Sequence, residues 1–397
     1  MRLPSLLSSR RDTNETVFNI TRHSIRNYGS VLQTYATQAL IAEASAECTT
    51  IDYRQPGVTD TARGYREPTP GFSGMTKDLL YRVFRERGAR NRGKVFEKFL
   101  VDRIQLSSTR FESFDALAEH NWPQDALYCV GSDQVWNLEA NGDNRPYYLD
   151  FAPEQATKFS LASSIGMDSL PASEERHLVE SLSTFSSISV RETGAVDYLA
   201  SLGIKSACHV DPALALTGEQ WSKVAGDAPS WPTPYVLVYQ LNANPELEKA
   251  AAAIGKKLAL PVVRMEYWQT FRGRGSAVVM RPSVERFLAL IRDTSVLITD
   301  SFHGAALAMD LGTRMVSIRP PRYGGRLDSL LDQFDLRCMR AASAGEAVEV
   351  VKQHDHLPDR QAQLHIEQDK VRRYLSDVIH PGPGETIGYE SSEEEAR

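Results

Sequence analysis

A short apolar run that breaks into a polar turn and then a helix of small residues is the pattern of a buried parallel strand feeding a crossover helix. Residues 296–312, VLITDSFHGAALAMDLG, have that form. Val296, Leu297 and Ile298 suit the strand, and either Asp300 or Ser301 suits the N-cap, where a side-chain oxygen accepts from the first free amides of the helix. His303 then falls in the first turn. Free amides and the positive end of the helix dipole favour an anion there, and an imidazole beside them can bind or protonate one. An N-capped helix with an incidental histidine would show the same residues.

The alternation of strand and helix recurs along the chain. Val17–Ile20 predicts a strand, and the polar turn 21–30 precedes a helix carrying Val31, Leu32, Tyr35, Ala39 and Leu40 at helical spacing. Gly29, in that turn, is where a backbone can approach a ligand closely. Ala126–Val130 predicts a strand that breaks into GSDQVWN, so Asp133, Gln134, Trp136 and Asn137 offer a carboxylate, amides and a ring at the edge where open α/β sheets bind ligands. Such groups grip sugars, although a buried tryptophan among turn polars reads the same way. Arg191 follows the strand 187–190, placed either to pair with Glu192 or to clamp a carboxylate or phosphate with two bonds. HVDPAL, residues 209–214, closes a further β element, and His209 is expected to be structural. Arg319, Arg322 and Arg326 surround a Pro-Gly loop near the same edge.

These elements predict an α/β chain with two doubly wound, Rossmann-like domains facing a cleft. The three prolines of APSWPTP place the boundary, giving an N-terminal domain over 1–228 and a C-terminal domain over 234–378. A Pro/Gly/Thr-rich stretch over 54–74 reads as a loop or lid, and the acidic tail 379–397 as disordered. A chain of 397 residues with 42% hydrophobic content is long enough for two such cores. A net charge of -6 lacks the basic excess a nucleic-acid protein needs. Four cysteines without metal-ligand spacing indicate neither a zinc site nor a disulfide framework. No apolar segment has the length of a signal core or a membrane span, so a cytoplasmic location is expected.

Taken in order, NYGSVLQTYATQAL, VGSDQVWN, SSIG, ISVRE, HVDPAL, SFHGAALAMDLG and RLDSLL resemble the polysaccharide pyruvyl transferase family from Asn27 to about Leu331. The resemblance implies a glycosyltransferase-B-like fold with its site between the domains. It also implies phosphoenolpyruvate as donor co-substrate, with no other cofactor, and a saccharide hydroxyl pair as acceptor in capsule or exopolysaccharide synthesis. The family's histidine at this helix start matches His303, its arginine after the Ser-Val strand matches Arg191, and its arginine ahead of the Leu-rich helix matches Arg326. Some branches carry Arg-Leu-His where this chain has Ser301-Phe302-His303, so the donor phosphate is expected to lean more on Arg191 and Arg326.

With that donor, His303 is the expected acid, and Asp133 a base or acceptor ligand from the opposite domain. Ser301 and Gly304 complete the expected donor site with the two arginines; Asn27, Tyr28, Gln134, Trp136 and Asn137 form the expected acceptor side, and no metal site is expected. The acceptor would be lipid-linked or nucleotide-linked, the former bringing the protein to the inner face of a membrane. A nucleotide-sugar glycosyltransferase of the same fold and a non-catalytic saccharide-binding module are the rival classes.

Overall fold

Strands buried on both faces read as unbroken apolar runs, and Leu127–Val130, Val236–Tyr239, Val296–Thr299 and Met315–Ile318 are buried at every position. They form the centres of two parallel sheets in the computed structural model, which describes residues 15–55, 93–167, 169–266, 277–319 and 325–382. Much of the expected lid, Arg322 and the tail beyond residue 382 lie outside the described residues.

The N-terminal half runs β1 (Thr16–Ile20), α1 (Tyr28–Glu43), β2 (Glu47–Tyr53), α2 (93–103), β3 (Leu106–Phe111), α3 (Phe114–Ala118), β4 (Leu127–Val130), α4 (Leu138–Asn141) and β5 (Thr157–Ser160). It continues through α5 (Ala172–Leu182), β6 (Ser189–Val190), α6 (Thr193–Ser201), β7 (Ala207–Cys208), α7 (Pro212–Ala215) and α8 (Gly218–Ala225). The second half runs β8 (Val236–Tyr239), α9 (Pro245–Leu258), β9 (Val262–Glu266), β10 (Ala277–Met280), α10 (Val284–Arg292), β11 (Val296–Thr299) and α11 (Phe302–Asp310). It ends with β12 (Met315–Ile318), α12 (Gly325–Gln333), β13 (Arg340–Ala341), α13 (Ala344–Gln353) and α14 (Gln361–Ile379).

Sheet order is β3-β2-β1-β4-β5 in the first half and β10-β9-β8-β11-β12-β13 in the second, all parallel. Both are doubly wound, and each reverses direction beside its first strand, between β1 and β4 and between β8 and β11. Crevices at the carboxyl ends of such strand pairs are where open α/β sheets bind ligands.

Packing crosses the expected boundary at two helices. Helix α8, ahead of the expected boundary, lies on α10 of the second sheet's layer, with Trp221 buried and its indole N–H donating to the Ala213 carbonyl at 2.8 Å. Helix α14, expected with the C-terminal domain, returns to the N-terminal one: the Tyr374 hydroxyl donates to Ser160 O at 2.7 Å, and Gln368 Nε2 donates to the carbonyls of Leu214 and Leu216 at 3.0 and 3.2 Å. The half-domains also meet directly. The Tyr28 ring stacks on Phe287 at 3.9 Å, and its hydroxyl donates to Pro282 O at 2.5 Å.

His209 is one of the residues α14 covers. Its Nδ1 lies 2.9 Å from Ser189 Oγ, and its ring packs 4.6 Å from Tyr374. Burial first, and Lys370 second, pull its pKa from 6.5 to about 4. The fold therefore favours the neutral ring: its contribution is complete above pH 6.5 and is lost as pH falls toward 4, up to about 3 kcal/mol. The melting-temperature gap between wild type and His209→Gln should therefore narrow between pH 6.5 and pH 4. A gap constant across that range would show that His209 carries no such linkage.

Candidate active site

Each site residue sits at the carboxyl end of a strand, where the chain turns into a helix. After β11, the Asp300 carboxylate accepts from the amides of Leu241 and Asn242 at 2.7 and 2.9 Å and from Asn242 Nδ2 at 3.1 Å, fastening the loop after β8 at the switch point. Burial raises the Asp300 pKa, and these bonds offset only part of the rise. Ser301, not Asp300, is the cap of α11, its Oγ accepting from Gly304 N at 3.2 Å. A Cβ at Gly304 would meet Thr299 Oγ1 at 2.8 Å and Tyr239 at 2.9 Å, so only glycine lets this turn settle on β8.

His303 reaches across the domain interface. A Cβ at Gly29 would lie 2.2 Å from His303 Nδ1, so the imidazole rests against the backbone at the start of α1. Gly29 thus serves a close approach, of this ring rather than of a ligand. On its other side, His303 Nε2 stands 3.7 Å from Asp211 Oδ2, beyond hydrogen-bond length, and has no partner although buried. The side chain is 14% exposed. Burial lowers its pKa, Arg191 and Arg326 add to that, and Asp211 and Asp133 only partly oppose it, so the ring is neutral near pH 7.

Asp211 is fully buried. One carboxylate oxygen caps α7 by accepting from Ala213 N at 2.9 Å; the other accepts from Ser132 Oγ at 2.8 Å and Arg191 Nη1 at 2.6 Å. Arg191 also pairs through Nε with Glu192 at 3.2 Å and lies 4.9 Å over the Phe302 ring of the other domain, while its buried Nη2 has no partner. Asp133 adopts a positive φ of 77°, a costly conformation for a residue with a side chain. Its carboxylate accepts from Ser30 Oγ at 3.1 Å and Gln134 N at 2.8 Å. Burial would raise its pKa, but Arg22, Arg191, His303 and Arg326 together hold it well below the usual carboxylate range.

The expected catalytic and donor residues therefore meet in one cleft: His303, Asp133, Arg191 and, from the first turn of α12, Arg326, whose charge acts on both Asp133 and His303. Arg319 is exposed and paired with Asp328 at 3.0 Å. The expected acceptor residues are committed elsewhere. Asn27 caps α1 and Asn137 caps α4; Tyr28 and Trp136 are buried, the latter donating to Tyr147 O at 2.9 Å; Gln134 Nε2 lies against Gly166. The buried Trp136 ring presents no open stacking face. Two residues went unassigned in the sequence. Arg22 sits in a turn rich in polar residues, and Asp211 precedes a proline and so reads as a simple cap. Among the described residues no cluster of His, Cys, Asp or Glu is placed to hold a metal ion.

Two doubly wound sheets whose switch points face one arginine-, histidine- and aspartate-lined cleft define a protein of the GT-B fold. The chain belongs to the polysaccharide pyruvyl transferase family, which it matches over residues 27–321. No curated protein matches it in sequence. In structure it is similar to a Listeria monocytogenes protein assigned as a UDP-N-acetylglucosamine 2-epimerase, with TM-score 0.50, 10% identity, and 92% of this chain and 91% of that one covered. A UDP-N-acetylglucosamine 2-epimerase from Rickettsia bellii gives 0.49 at 11% identity over 92% and 97% of the two chains. A UDP-glucosyltransferase from Polygonum tinctorium gives 0.41 at 8% over 94% and 96%. At these identities the likeness is one of fold.

The contact at Gly29 makes a sharp test. In Gly29→Ala the new methyl must displace the His303 ring or part the domains; overpacking costs about 1–3 kcal/mol, and a shift of about 1 Å in a reacting group costs on the order of 100-fold in rate. Turnover should fall by about that factor while melting drops by only a few degrees. Wild-type turnover in a folded Gly29→Ala protein would remove this contact from the site.

Proposed function

We propose that the protein transfers the pyruvyl group of phosphoenolpyruvate to two neighbouring saccharide hydroxyls as a cyclic ketal, in the making of a bacterial capsule or exopolysaccharide. The observation that carries this reading is the buried, unpartnered Nη2 of Arg191, with the equally unpartnered Nε2 of His303, beside the N-terminus of α11. Buried polar atoms without partners are rare and costly, and a small, highly charged anion at a helix start would satisfy Arg191, and His303 in the form that carries a hydrogen on Nε2. Arg191 and Arg326 face the donor's anionic groups. The acceptor is a lipid-linked or nucleotide-linked saccharide; in the lipid-linked case the protein works at the inner membrane face as a peripheral enzyme. Among the described residues no helix is long and apolar enough to cross a membrane.

The chemistry balances with these groups. A proton adds to the donor's methylene carbon and leaves C2 oxocarbenium-like; one sugar hydroxyl adds there and gives up its proton. The C2–O bond to phosphorus then breaks, phosphate departs with the electron pair and takes a proton, and the second hydroxyl closes the ketal, releasing its own. Asp133, ionised, is assigned the receipt of a hydroxyl proton in this reading. His303, neutral with one N–H, contacts the phosphate, and the dianion's charge draws its pKa back up toward a value suited to protonating the leaving oxygen.

His303→Ala should depress turnover roughly 100- to 10,000-fold while leaving the helix intact, because alanine favours helix more than histidine and Ser301 retains the cap. Steady-state phosphate release from phosphoenolpyruvate with acceptor measures it; normal turnover or an unfolded variant contradicts the role. Arg191→Ala behaves differently, stripping the buried Asp211 carboxylate of its ion pair, so it should destabilise the fold by about 3–5 kcal/mol besides weakening the donor. The glycosyltransferase reading is separated by melting. Phosphoenolpyruvate at about 100 times its Kd should add about 2.7 kcal/mol, and a larger effect from UDP-sugars would favour that rival instead.

A further inference from the structure

Four cations act on Asp133: Arg22, Arg191, His303 and Arg326. Arg191 and His303 meet at Asp211, by the 2.6 Å ion pair and the 3.7 Å approach, and Arg326 acts on His303 as well. Arg22 comes from the turn after β1. The Thr21 hydroxyl donates to the Ser132 carbonyl at 2.8 Å, tying the end of β1 to the end of β4, so the next residues on the two strands, Arg22 and Asp133, lie side by side. Ser132 faces the other way with its hydroxyl on Asp211. Arg22 acts on Asp133 and also on the buried Tyr147.

Arg22 is only 8% exposed, and its Nε–H has no partner. Its backbone is fixed on both sides. Thr21 is bonded as above and also accepts from Gln33 Nε2 at 3.0 Å, while the buried His23 ring lies 3.0 Å from Asp52, itself paired with Arg54 and Arg110. So much anchoring for one arginine serves a ligand, since a guanidinium needed only to balance Asp133 would turn its fork onto that carboxylate, and no such bond forms.

We infer that Arg22 is a second anion anchor of this cleft, holding the carboxylate of the donor while Arg191, His303 and the start of α11 hold its phosphate. The inference rests on the phosphoenolpyruvate reading and deepens it. A ligand with a single anionic group needs one cationic anchor; a compact molecule with two anionic groups a few bonds apart matches cations contributed from two places in the cleft.

Calorimetric titration of wild type, Arg22→Gln and Arg22→Lys with phosphoenolpyruvate, inorganic phosphate and pyruvate tests this. In Arg22→Gln, phosphate affinity should stay as in wild type, pyruvate binding should vanish, and phosphoenolpyruvate affinity should fall about tenfold or more, toward that of phosphate. Unchanged phosphate binding also shows that the cleft has folded. Arg22→Lys keeps the charge and loses the fork, and it gives the same readout should the glutamine variant not fold, with phosphoenolpyruvate weakened and phosphate unchanged. Wild-type phosphoenolpyruvate affinity in either variant overturns the assignment, as does an equal loss of phosphate and pyruvate binding, which would mean a single undivided site. Wild-type protein that binds neither phosphoenolpyruvate nor phosphate overturns the donor reading itself, and this assignment with it.

Discussion

A carboxylate with no exposure to water is tolerable only when it is paired and hydrogen-bonded, and Asp211 accepts three bonds that join three parts of the fold and faces a fourth. It caps α7, receives the Ser132 hydroxyl from the end of β4, pairs with Arg191 from the end of β6, and faces His303 from the other domain. None of these elements is adjacent in sequence. Their carboxyl ends converge because a buried negative charge there would be untenable without them, and that convergence sets the electrostatics of the cleft. Asp211 holds Arg191 charged and oriented with its Nη2 unpartnered, and leaves His303 near a negative charge but not bonded to it.

The site is also a property of the docked pair of domains rather than of either alone. His303 belongs to the second sheet, yet the surface its ring rests on is Gly29, at the first helix of the other. Arg191 belongs to the first sheet, yet it lies over Phe302, the residue before His303. Each domain supplies the surface on which the other's side chain rests, so the cluster of charged groups is assembled by apposition of the two domains.

Much of this was legible in the residues. Fully buried strands announce themselves as apolar runs, which is why the strands before His303 and Asp133 and the helix cap after Thr299 could be placed from sequence. Strand β3, LSSTRF, escaped because it is a sheet edge with Ser108, Thr109 and Arg110 exposed, and a wet edge has no hydrophobic period to detect. Arg22 and Asp211 escaped for another reason: each stands in a local pattern, a polar turn or an Asp-Pro helix start, that explains the residue fully without a distant partner. Conversely, Trp136 looked like a sugar platform from its polar neighbours, but those polars are spent on caps and turns around a buried ring. The direction of α14 was not readable either, since an amphipathic helix shows that one face is covered and not by which domain.

The chain leaves the first domain near Leu216 and comes back to it through the residues before Gln361, where Tyr374 and Gln368 fasten the returning helix α14. Gln368 bonds the carbonyls of Leu214 and Leu216, so the returning helix is fastened at the place where the chain leaves, and the domains are joined there by two stretches of chain rather than one.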